Sequence, residues 1–261
     1  MRSIAKLMKD WQFTGPNGVT TAVELPHTWN ARDGQDGGND YWRGCCTYCT
    51  RFAAPVYDPA QQQVWLQFEG VNASAAVLLN GQQLCTHDGG YSTFRAEVTE
   101  LLQAENQLTV RVDNSVNDRV YPQKADFTFY GGLYRGVNLI SVPGTHFDLD
   151  YFGGPGIKVT PKPTEDGGAT FEIESWVTNG EEAYTVMYSI EDCYGNEVAS
   201  GVRPCDSTKV TLYVPDAQLW SMDEPNLYTV TARLQKNNET FDEILSLIHI
   251  SEPTRRRGIS Y

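Results

Sequence analysis

Apolar residues recur at every second position along much of the first half of the chain. Val64, Leu66 and Phe68 are expected to face one way, with Trp65 and the polar residues between them facing the other, and residues 108–112 repeat the alternation. This period of two is typical of half-buried β-strands. The pattern predicts strands in this region and gives almost no helical periodicity beyond one turn within residues 98–105.

Glycine-rich segments separate the predicted strands. Asn80-Gly81 lies between two extended runs and predicts a hairpin, because this dipeptide favours the primed turn that matches strand twist. Residues 32–40 hold too many Gly and Asp for regular structure and predict a long loop, either functional or a solvated connection. Residues 87–94 form a second glycine-rich segment, expected at the rim of a sheet.

The second half has a different spacing of strand-like runs. Five such runs are separated by turn signals: 157–159, 171–177, 184–190, 209–214 and 227–234. That spacing is typical of a small immunoglobulin-like sandwich. The fold class is therefore predicted as all-β, with a jelly-roll, galactose-binding-like β-sandwich at 1–144 followed by an Ig-like β-sandwich at 145–244.

The last residues, 245–261, differ from the rest of the chain. They carry three arginines against one glutamate in a chain whose net charge is −13. Residues 245–255 resemble the in-frame translation of a transposon-end sequencing adapter, so we expect a non-native tail from about Ile244 onward. A genuine basic C-terminal tail is the alternative.

The overall charge limits the class of partner. A net charge of −13 repels nucleic acid and anionic membranes, because both need clustered Lys and Arg to displace counterions. No run approaches the ~18 apolar residues of a membrane span, and the start of the chain lacks the apolar segment of a secretory signal. We therefore expect an intracellular, cytoplasmic protein that acts on a neutral partner.

Six cysteines do not predict a disulfide scaffold or a metal site. Cys46 and Cys49 have the spacing of half a zinc site, but no second Cys pair or His pair follows them. Ordinary strand thiols are the expected interpretation. No metal and no cofactor is predicted.

One carboxylate precedes an aromatic run that is interrupted by two glycines. Gly131 and Gly132 allow backbone angles that other residues avoid, so the run is expected to cross an end of a sheet, with Asp126 at its rim. A carboxylate beside aromatic rings suits sugar binding, because its oxygens accept hydrogen bonds from hydroxyls while the rings cover C–H faces. A turn-capping Asp next to core aromatics is the alternative.

Several motifs together resemble glycoside hydrolase family 2, most closely its bacterial β-galactosidases, with β-glucuronidases and β-mannosidases further off. The motifs are Leu25-Pro-His-Thr-Trp-Asn30, Gly37-Gly-Asn-Asp-Tyr-Trp-Arg-Gly44, Phe68-Glu-Gly-Val-Asn72, Val77-Leu-Leu-Asn-Gly81, His87-Asp-Gly-Gly-Tyr-Ser-Thr-Phe94, Val112-Asp-Asn114, Phe129-Tyr-Gly-Gly-Leu-Tyr-Arg135 and Leu219-Trp-Ser-Met-Asp-Glu-Pro-Asn-Leu-Tyr228. Their order covers roughly residues 8–244. Gly136 departs from the family pattern, which commonly has Asp after the Tyr-Arg pair, and this is expected to loosen a local turn.

The resemblance implies a substrate-binding role for three residues. Asp126 would reach into the active site and hydrogen-bond hydroxyls of the terminal sugar, and Asn39 and Asp40 match a loop that helps close the pocket. Such a cap converts a cleft into a pocket, so the enzyme would act from chain ends. The resemblance also implies a homo-oligomer for the intact enzyme.

The catalytic groups of the family are expected elsewhere. Its members are retaining hydrolases with two glutamates about 5–5.5 Å apart, which the resemblance places on a barrel after the Ig-like domain. No catalytic residue is therefore predicted in this chain, which we expect to be an inactive N-terminal fragment of a β-galactosidase-like enzyme. A stand-alone carbohydrate-binding or adhesion module is the alternative, and a genuine C-terminal tail would favour it.

Overall fold

The computed structural model describes residues 1–32, 41–121, 128–207 and 209–251. It divides into two compact units, one formed by Ser3–Val142 and the other by Met1–Arg2 together with Pro143–Tyr261. We call them the N-terminal sandwich and the C-terminal sandwich. Both are built almost entirely of antiparallel strands, which confirms the predicted all-β class.

Among the residues that the structure describes, the N-terminal sandwich has ten strands and one 3-10 turn, Thr99–Leu101. The strands are β1 Ser3–Lys6, β2 Trp11–Thr14, β3 Thr20–Val23, β4 Cys45–Ala53, β5 Gln62–Phe68, β6 Ser74–Leu79, β7 Gln82–Asp88, β8 Phe94–Glu97, β9 Glu105–Asp113 and β10 Val137–Pro143. One sheet has the order β3-β2-β4-β9-β6-β7 and the other β1-β10-β5-β8. Side chains from both sheets form one core, which includes Trp11, Tyr48, Val110, Leu66 and Phe68.

Two predictions for this sandwich can be compared with the structure directly. The hairpin between β6 and β7 turns at Asn80 and Gly81, whose φ angles of 51° and 83° are both positive, as the primed turn requires. Trp65, expected on an exposed face, is only 7% exposed, so β5 is buried on both faces at that point. Sequence alternation alone could not reveal this, because an indole suits either environment.

In its described part, up to residue 251, the C-terminal sandwich has nine strands. They are β11 His146–Phe147, β12 Ile157–Pro163, β13 Ala169–Ser175, β14 Val177–Thr178, β15 Thr185–Glu191, β16 Glu197–Pro204, β17 Lys209–Val214, β18 Tyr228–Lys236 and β19 Glu239–Ile248. Sheets of order β12-β13-β17 and β16-β15-β18-β19 enclose a core, and β11 pairs with β14. Each of the five predicted runs falls mainly in a strand, although the run 171–177 is interrupted at Trp176, between β13 and β14. The sequence did not predict β16, a polar strand at the sheet edge, or β19.

Strand β19 continues into the residues expected to be non-native. Leu245–Ile248 pair with the first residues of β18, and the amide of Trp220 donates to the carbonyl of Ile250 at 2.7 Å. Strand pairing requires only an extended segment with alternating side chains, and these residues form one. The pairing therefore does not show whether the residues are native. Their non-native origin therefore remains a prediction.

Candidate functional site

The three residues predicted to bind substrate, Asp126, Asn39 and Asp40, lie outside the described residues. The structure does describe the chain on both sides of each segment. The first segment lies between Arg32 and Tyr41, and the second between Tyr121 and Thr128. The described part of the site consists of these flanking residues.

A buried asparagine joins the flanks of both segments. Asn30 is fully buried, and its side-chain N–H donates to the carbonyl of Trp42 at 2.8 Å, across the first segment. Its Oδ1 accepts from the amide of Gly131 at 2.7 Å and from the side chain of Asn114 at 3.1 Å, which flank the second segment. One carboxamide thus connects three stretches of chain that are far apart in sequence.

A second asparagine completes the connection from the end of β9. Asn114 is also fully buried, and its Nδ2 donates to the carbonyl of Phe129 at 2.9 Å while its Oδ1 accepts from the amide of Gly44 at 2.8 Å. Arg43 donates to the Asn114 carbonyl at 2.7 Å and its guanidinium lies 5.1 Å from the ring centre of Phe129. The hydrogen bond of Arg43 and its cation–π contact with Phe129 therefore stabilise the same junction.

A third asparagine holds the aromatic run from the opposite side. Asn72 exchanges backbone hydrogen bonds of 3.2 Å with Gly132, and its Nδ2 donates to the carbonyl of Tyr130 at 2.7 Å. Buried amides of this kind are stable only when their partners are all present. We call Asn30, Asn72 and Asn114 the asparagine cluster.

The two glycines of the aromatic run are both required by close packing. A Cβ on Gly131 would lie 2.0 Å from Cζ2 of Trp29, and one on Gly132 would lie 2.4 Å from the carbonyl oxygen of His27. Gly132 also has a φ of +139°, which side chains rarely allow. The expectation that these glycines permit unusual backbone is confirmed at Gly132, whereas Gly131 is needed for space.

The turn at Gly136 is held differently from the expectation. The carboxylate of Glu69 accepts from the amide of Gly136 at 3.2 Å and from the side chain of Asn138 at 2.8 Å. A Cβ at position 136 would lie 2.7 Å from Glu69 Oε2. Glycine here therefore makes room for the carboxylate of Glu69, the residue after β5, which ties the turn instead of loosening it.

Exposed aromatic side chains lie beside these junctions. Trp42, Tyr91 and Tyr130 are among the exposed large hydrophobic residues. Tyr134 donates to the carbonyl of Gly90 and its ring contacts that of Tyr91, which ties the second glycine-rich segment to the same rim. Aromatic faces next to hydrogen-bonding groups are the chemistry by which proteins bind sugars.

Titratable groups of the described site have their pKa values set mainly by burial. Burial lowers the pKa of His27, whose Nδ1 lies 2.7 Å from the hydroxyl of Tyr48. Burial also raises the pKa of Cys46 to about 12, so this thiol is protonated at neutral pH. Cys46 and Cys49 are three residues apart on β4 and therefore point to opposite faces of the strand.

Sequence reasoning did not single out the asparagine cluster, although a signal was present. Three of the quoted motifs end in asparagine, at positions 30, 72 and 114, and each of these positions proved to be a buried hydrogen-bonding junction. Asparagine at the end of an apolar run normally indicates only a turn. Tertiary contacts were needed to show that the three act together.

Comparison with known proteins places the chain in a family. Residues 38–135 match the galactose-binding domain-like model of glycosyl hydrolase 2, and residues 155–247 match the glycosyl hydrolases family 2 model. These two matches lie in order in the N-terminal and C-terminal sandwiches. The chain belongs to glycoside hydrolase family 2.

Relatives within the family are β-glucuronidases and β-galactosidases. A β-glucuronidase of Bacteroides fragilis is 30% identical over 91% of this chain, and a β-galactosidase of Bacteroides ovatus is 28% identical over 92%. The chain spans 36% and 31% of their respective lengths. A solved structure of an FMN-binding β-glucuronidase from Faecalibacterium prausnitzii is 56% identical with a TM-score of 0.91, over 96% of this chain and 39% of that one.

Proposed function

We propose that this chain is the N-terminal part of a retaining, exo-acting glycoside hydrolase that removes terminal β-linked sugars. It would supply part of the substrate pocket and none of the bond-breaking groups. Family membership supports this, as does the chain's coverage of about a third of its relatives. The catalytic barrel would follow the C-terminal sandwich, and its two glutamates would lie beyond this chain.

The sugar we propose is a terminal β-glucuronide. One observation carries this choice, namely 56% identity over 96% of the chain to a protein named a β-glucuronidase. The relative named as a β-galactosidase is 28% identical. A terminal β-galactoside, the first expectation from the sequence motifs, is the second candidate.

The pocket residues we propose are Asp126, Asn39 and Asp40. The asparagine cluster supports this assignment, because Asn30 joins the chain flanking both segments through hydrogen bonds of 2.7 and 2.8 Å. The chain on either side of the two segments is therefore anchored at one rim, which is what the proposed pocket requires. Carboxylate and carboxamide groups there would form hydrogen bonds with hydroxyls of the terminal sugar.

The alternative is a stand-alone carbohydrate-binding or adhesion module. Affinity distinguishes it, because one rim carboxylate without the barrel should bind sugar only at millimolar strength or weaker, whereas a dedicated module should reach micromolar strength. The described residues contain no helix with the length and hydropathy of a membrane span. We further propose a cytoplasmic location, a homo-oligomer for the intact enzyme, no cofactor, and neither nucleic acid nor membrane as partner.

The test is to recover the continuous gene past codon 244 and express its product. We expect that product to hydrolyse 4-nitrophenyl β-D-glucuronide in preference to the β-D-galactoside, and this chain alone to hydrolyse neither. Asp126→Ala in the whole product should lower kcat/KM by about 10- to 100-fold, as loss of a charge-assisted hydrogen bond does.

Glu105→Ala, an exposed carboxylate at the start of β9, is the matched control and should leave kcat/KM unchanged. Faster hydrolysis of the galactoside would favour a terminal β-galactoside over a terminal β-glucuronide as the substrate. Micromolar binding of glycosides by this chain alone, with no hydrolase encoded downstream, would favour the stand-alone module.

A further inference from the structure

Strand β3 differs in composition from the other edge strands of the two sandwiches. Among the described residues, the sheets of three or more strands end in β1, β3, β7, β8, β12, β16, β17 and β19. Each edge presents N–H and C=O groups that can pair with another chain, and charged residues on an edge discourage such pairing. All of these strands except β3 contain at least one charged residue. Strand β3, Thr20–Val23, contains neither a charged residue nor a proline and is therefore the least protected edge.

The outer side of β3 is open to solvent. Thr20, Thr21 and Ala22 are exposed, and Val19, just before the strand, is 54% exposed. Strand β2 pairs with one side of β3, and no strand in the described part of the chain pairs with the other. The threonines and valines of this segment favour extended structure. A further strand can therefore be added to the sheet at this edge.

The pairing with β2 fixes which backbone groups of β3 point outward. The amide of Gly15 donates to the carbonyl of Val19 at 3.1 Å, in the register that β2 and β3 continue. Hydrogen-bonded and non-hydrogen-bonded pairs alternate along an antiparallel ladder, so the odd-numbered residues of β3 bond to β2. Thr20 and Ala22 therefore direct their N–H and C=O groups away from the sheet.

We propose that β3 binds β3 of a second copy of this chain, antiparallel and about a twofold axis that passes through Thr21. In this register Thr20 of one copy lies opposite Ala22 of the other. Both residues have outward-pointing backbone groups, so the two equivalent pairs form four hydrogen bonds across the axis. The two copies of Thr21 then face each other as a non-hydrogen-bonded pair.

The side chains of the segment fit the same register. Val19 lies opposite Val23, which places apolar residues against each other on both sides of Thr21. Glu24, the nearest charged residue, lies opposite Gly18, so no like charges meet. A twofold interface requires a surface that complements itself, and residues 18–24 meet this requirement. This self-complementarity identifies a second copy as the partner.

A strand of four residues supports only weak association. Four backbone hydrogen bonds and two small apolar contacts make an interface at the low end of the known range, so we expect a Kd of about 0.1–1 mM. The proposal goes beyond the homo-oligomer proposed for the intact enzyme, because it assigns a surface and a register to this chain. It does not depend on the catalytic barrel.

Disulfide cross-linking tests the register, in a full chain whose exposed Cys45 and Cys193 are replaced by serine. Thr21→Cys should form a covalent dimer in oxidising buffer, because the Cα atoms of a non-hydrogen-bonded pair are about 4.5 Å apart, within disulfide range. Thr20→Cys and Ala22→Cys meet their own copies only on the diagonal, at about 7–8 Å. These two variants should therefore cross-link at least about fivefold less.

Sedimentation equilibrium of the full chain between about 0.02 and 1 mM measures the strength of association. Thr21→Lys should weaken it at least about tenfold, because like charges directly opposite each other repel, whereas Thr21→Val should leave it within about twofold. Gln82→Lys, an exposed position on β7 at the other edge of the same sheet, is the matched control and should have no effect. An added lysine reduces the net charge of −13, so weakening at position 21 must be local.

Three outcomes overturn the proposal. These are a monomer throughout the concentration range, equal cross-linking of the three cysteine variants, and equal weakening by Thr21→Lys and Gln82→Lys. Thermal unfolding of each variant separates loss of association from loss of folding. Association is measured on this chain and hydrolysis on the product of the continuous gene, so failure of one is distinguishable from failure of the other.

Discussion

The two sandwiches satisfy their buried polar groups in opposite ways. In the N-terminal sandwich three of the buried carboxamides, those of the asparagine cluster, bond mainly to backbone groups of irregular chain near one rim. In the C-terminal sandwich a buried carboxylate, Asp242, pairs with Arg2 at 2.8 Å and also accepts from the amide of Phe147 at 2.9 Å. One sandwich uses neutral amides to shape loops, and the other uses a charge to hold a terminal residue.

This difference follows from what each polar group can do. A carboxamide donates and accepts at once, so it can substitute for missing backbone partners where no strand continues. A carboxylate only accepts, and its burial is tolerated because a guanidinium and two amides surround it. The N-terminal sandwich is thus organised around its irregular rim, and the C-terminal sandwich around regular alternation.

The largest expected effect concerns the buried ion pair. Arg2→Ala should leave the Asp242 carboxylate, which is 0% exposed, without its cation and destabilise the C-terminal sandwich by about 3–5 kcal/mol. Urea unfolding followed through resonances of each sandwich measures this. The N-terminal sandwich should unfold at an unchanged urea concentration. An equal loss of stability in both sandwiches would show that the ion pair does not act on the C-terminal sandwich alone.

An exposed ion pair on the C-terminal sandwich provides the control for Arg2→Ala. Glu172 on β13 pairs with Lys162 at 2.8 Å and with Lys209 at 3.2 Å, and all three side chains are partly exposed. Exposed pairs contribute little because water and salt screen them. Glu172→Gln should therefore leave the urea midpoint of the C-terminal sandwich unchanged within error.

An intermediate effect is expected at the asparagine cluster. Asn30→Ala removes partners from the Trp42 carbonyl and the Gly131 amide, so it should destabilise the N-terminal sandwich by about 2–4 kcal/mol. The same urea titration measures it. Gln107→Ala, which removes an exposed amide on β9, should have almost no effect on stability. If both variants destabilised the N-terminal sandwich equally, Asn30 would not stabilise the rim as described.

The smallest expected effect is a dependence on pH. Burial lowers the pKa of His146 in the C-terminal sandwich below the ordinary 6.5, so the unfolded chain binds the proton more readily. Stability is therefore complete above pH 6.5 and falls as pH decreases below it, by at most about 1.4 kcal/mol per pH unit. Burial also lowers the pKa values of His27 and His87 in the N-terminal sandwich, where partial exposure reduces the effect of each.

Urea midpoints of both sandwiches between pH 7.5 and 5.5 measure this dependence. In the native protein His146 Nδ1 donates to the Pro143 carbonyl at 2.8 Å; His146→Gln keeps a donor for that carbonyl and removes the titration. It should flatten the profile of the C-terminal sandwich alone. A profile unchanged by the substitution would mean that other groups control the acid response.

Much of the strand pattern was predictable because it depends on local residue periods. The Asn80-Gly81 hairpin and the inward face of β9 follow from turn chemistry and alternation. Strand β16 was not predicted, because a polar edge strand carries no alternation. At the candidate site, the glycines of the aromatic run were identified correctly, but the reason Gly131 is glycine lies in Trp29, about a hundred residues earlier in the chain.

The sequence alone determined the fold class, the order of the two sandwiches and the family, because these depend on residue periods and on motifs read in order. Tertiary structure decided which residues act together at the rim. Asn30, Asn72 and Asn114 are ordinary turn residues when considered singly, and only folding brings their amides to backbone groups of distant segments. Long-range hydrogen bonds leave no local period in a sequence, so the asparagine cluster became visible only in three dimensions.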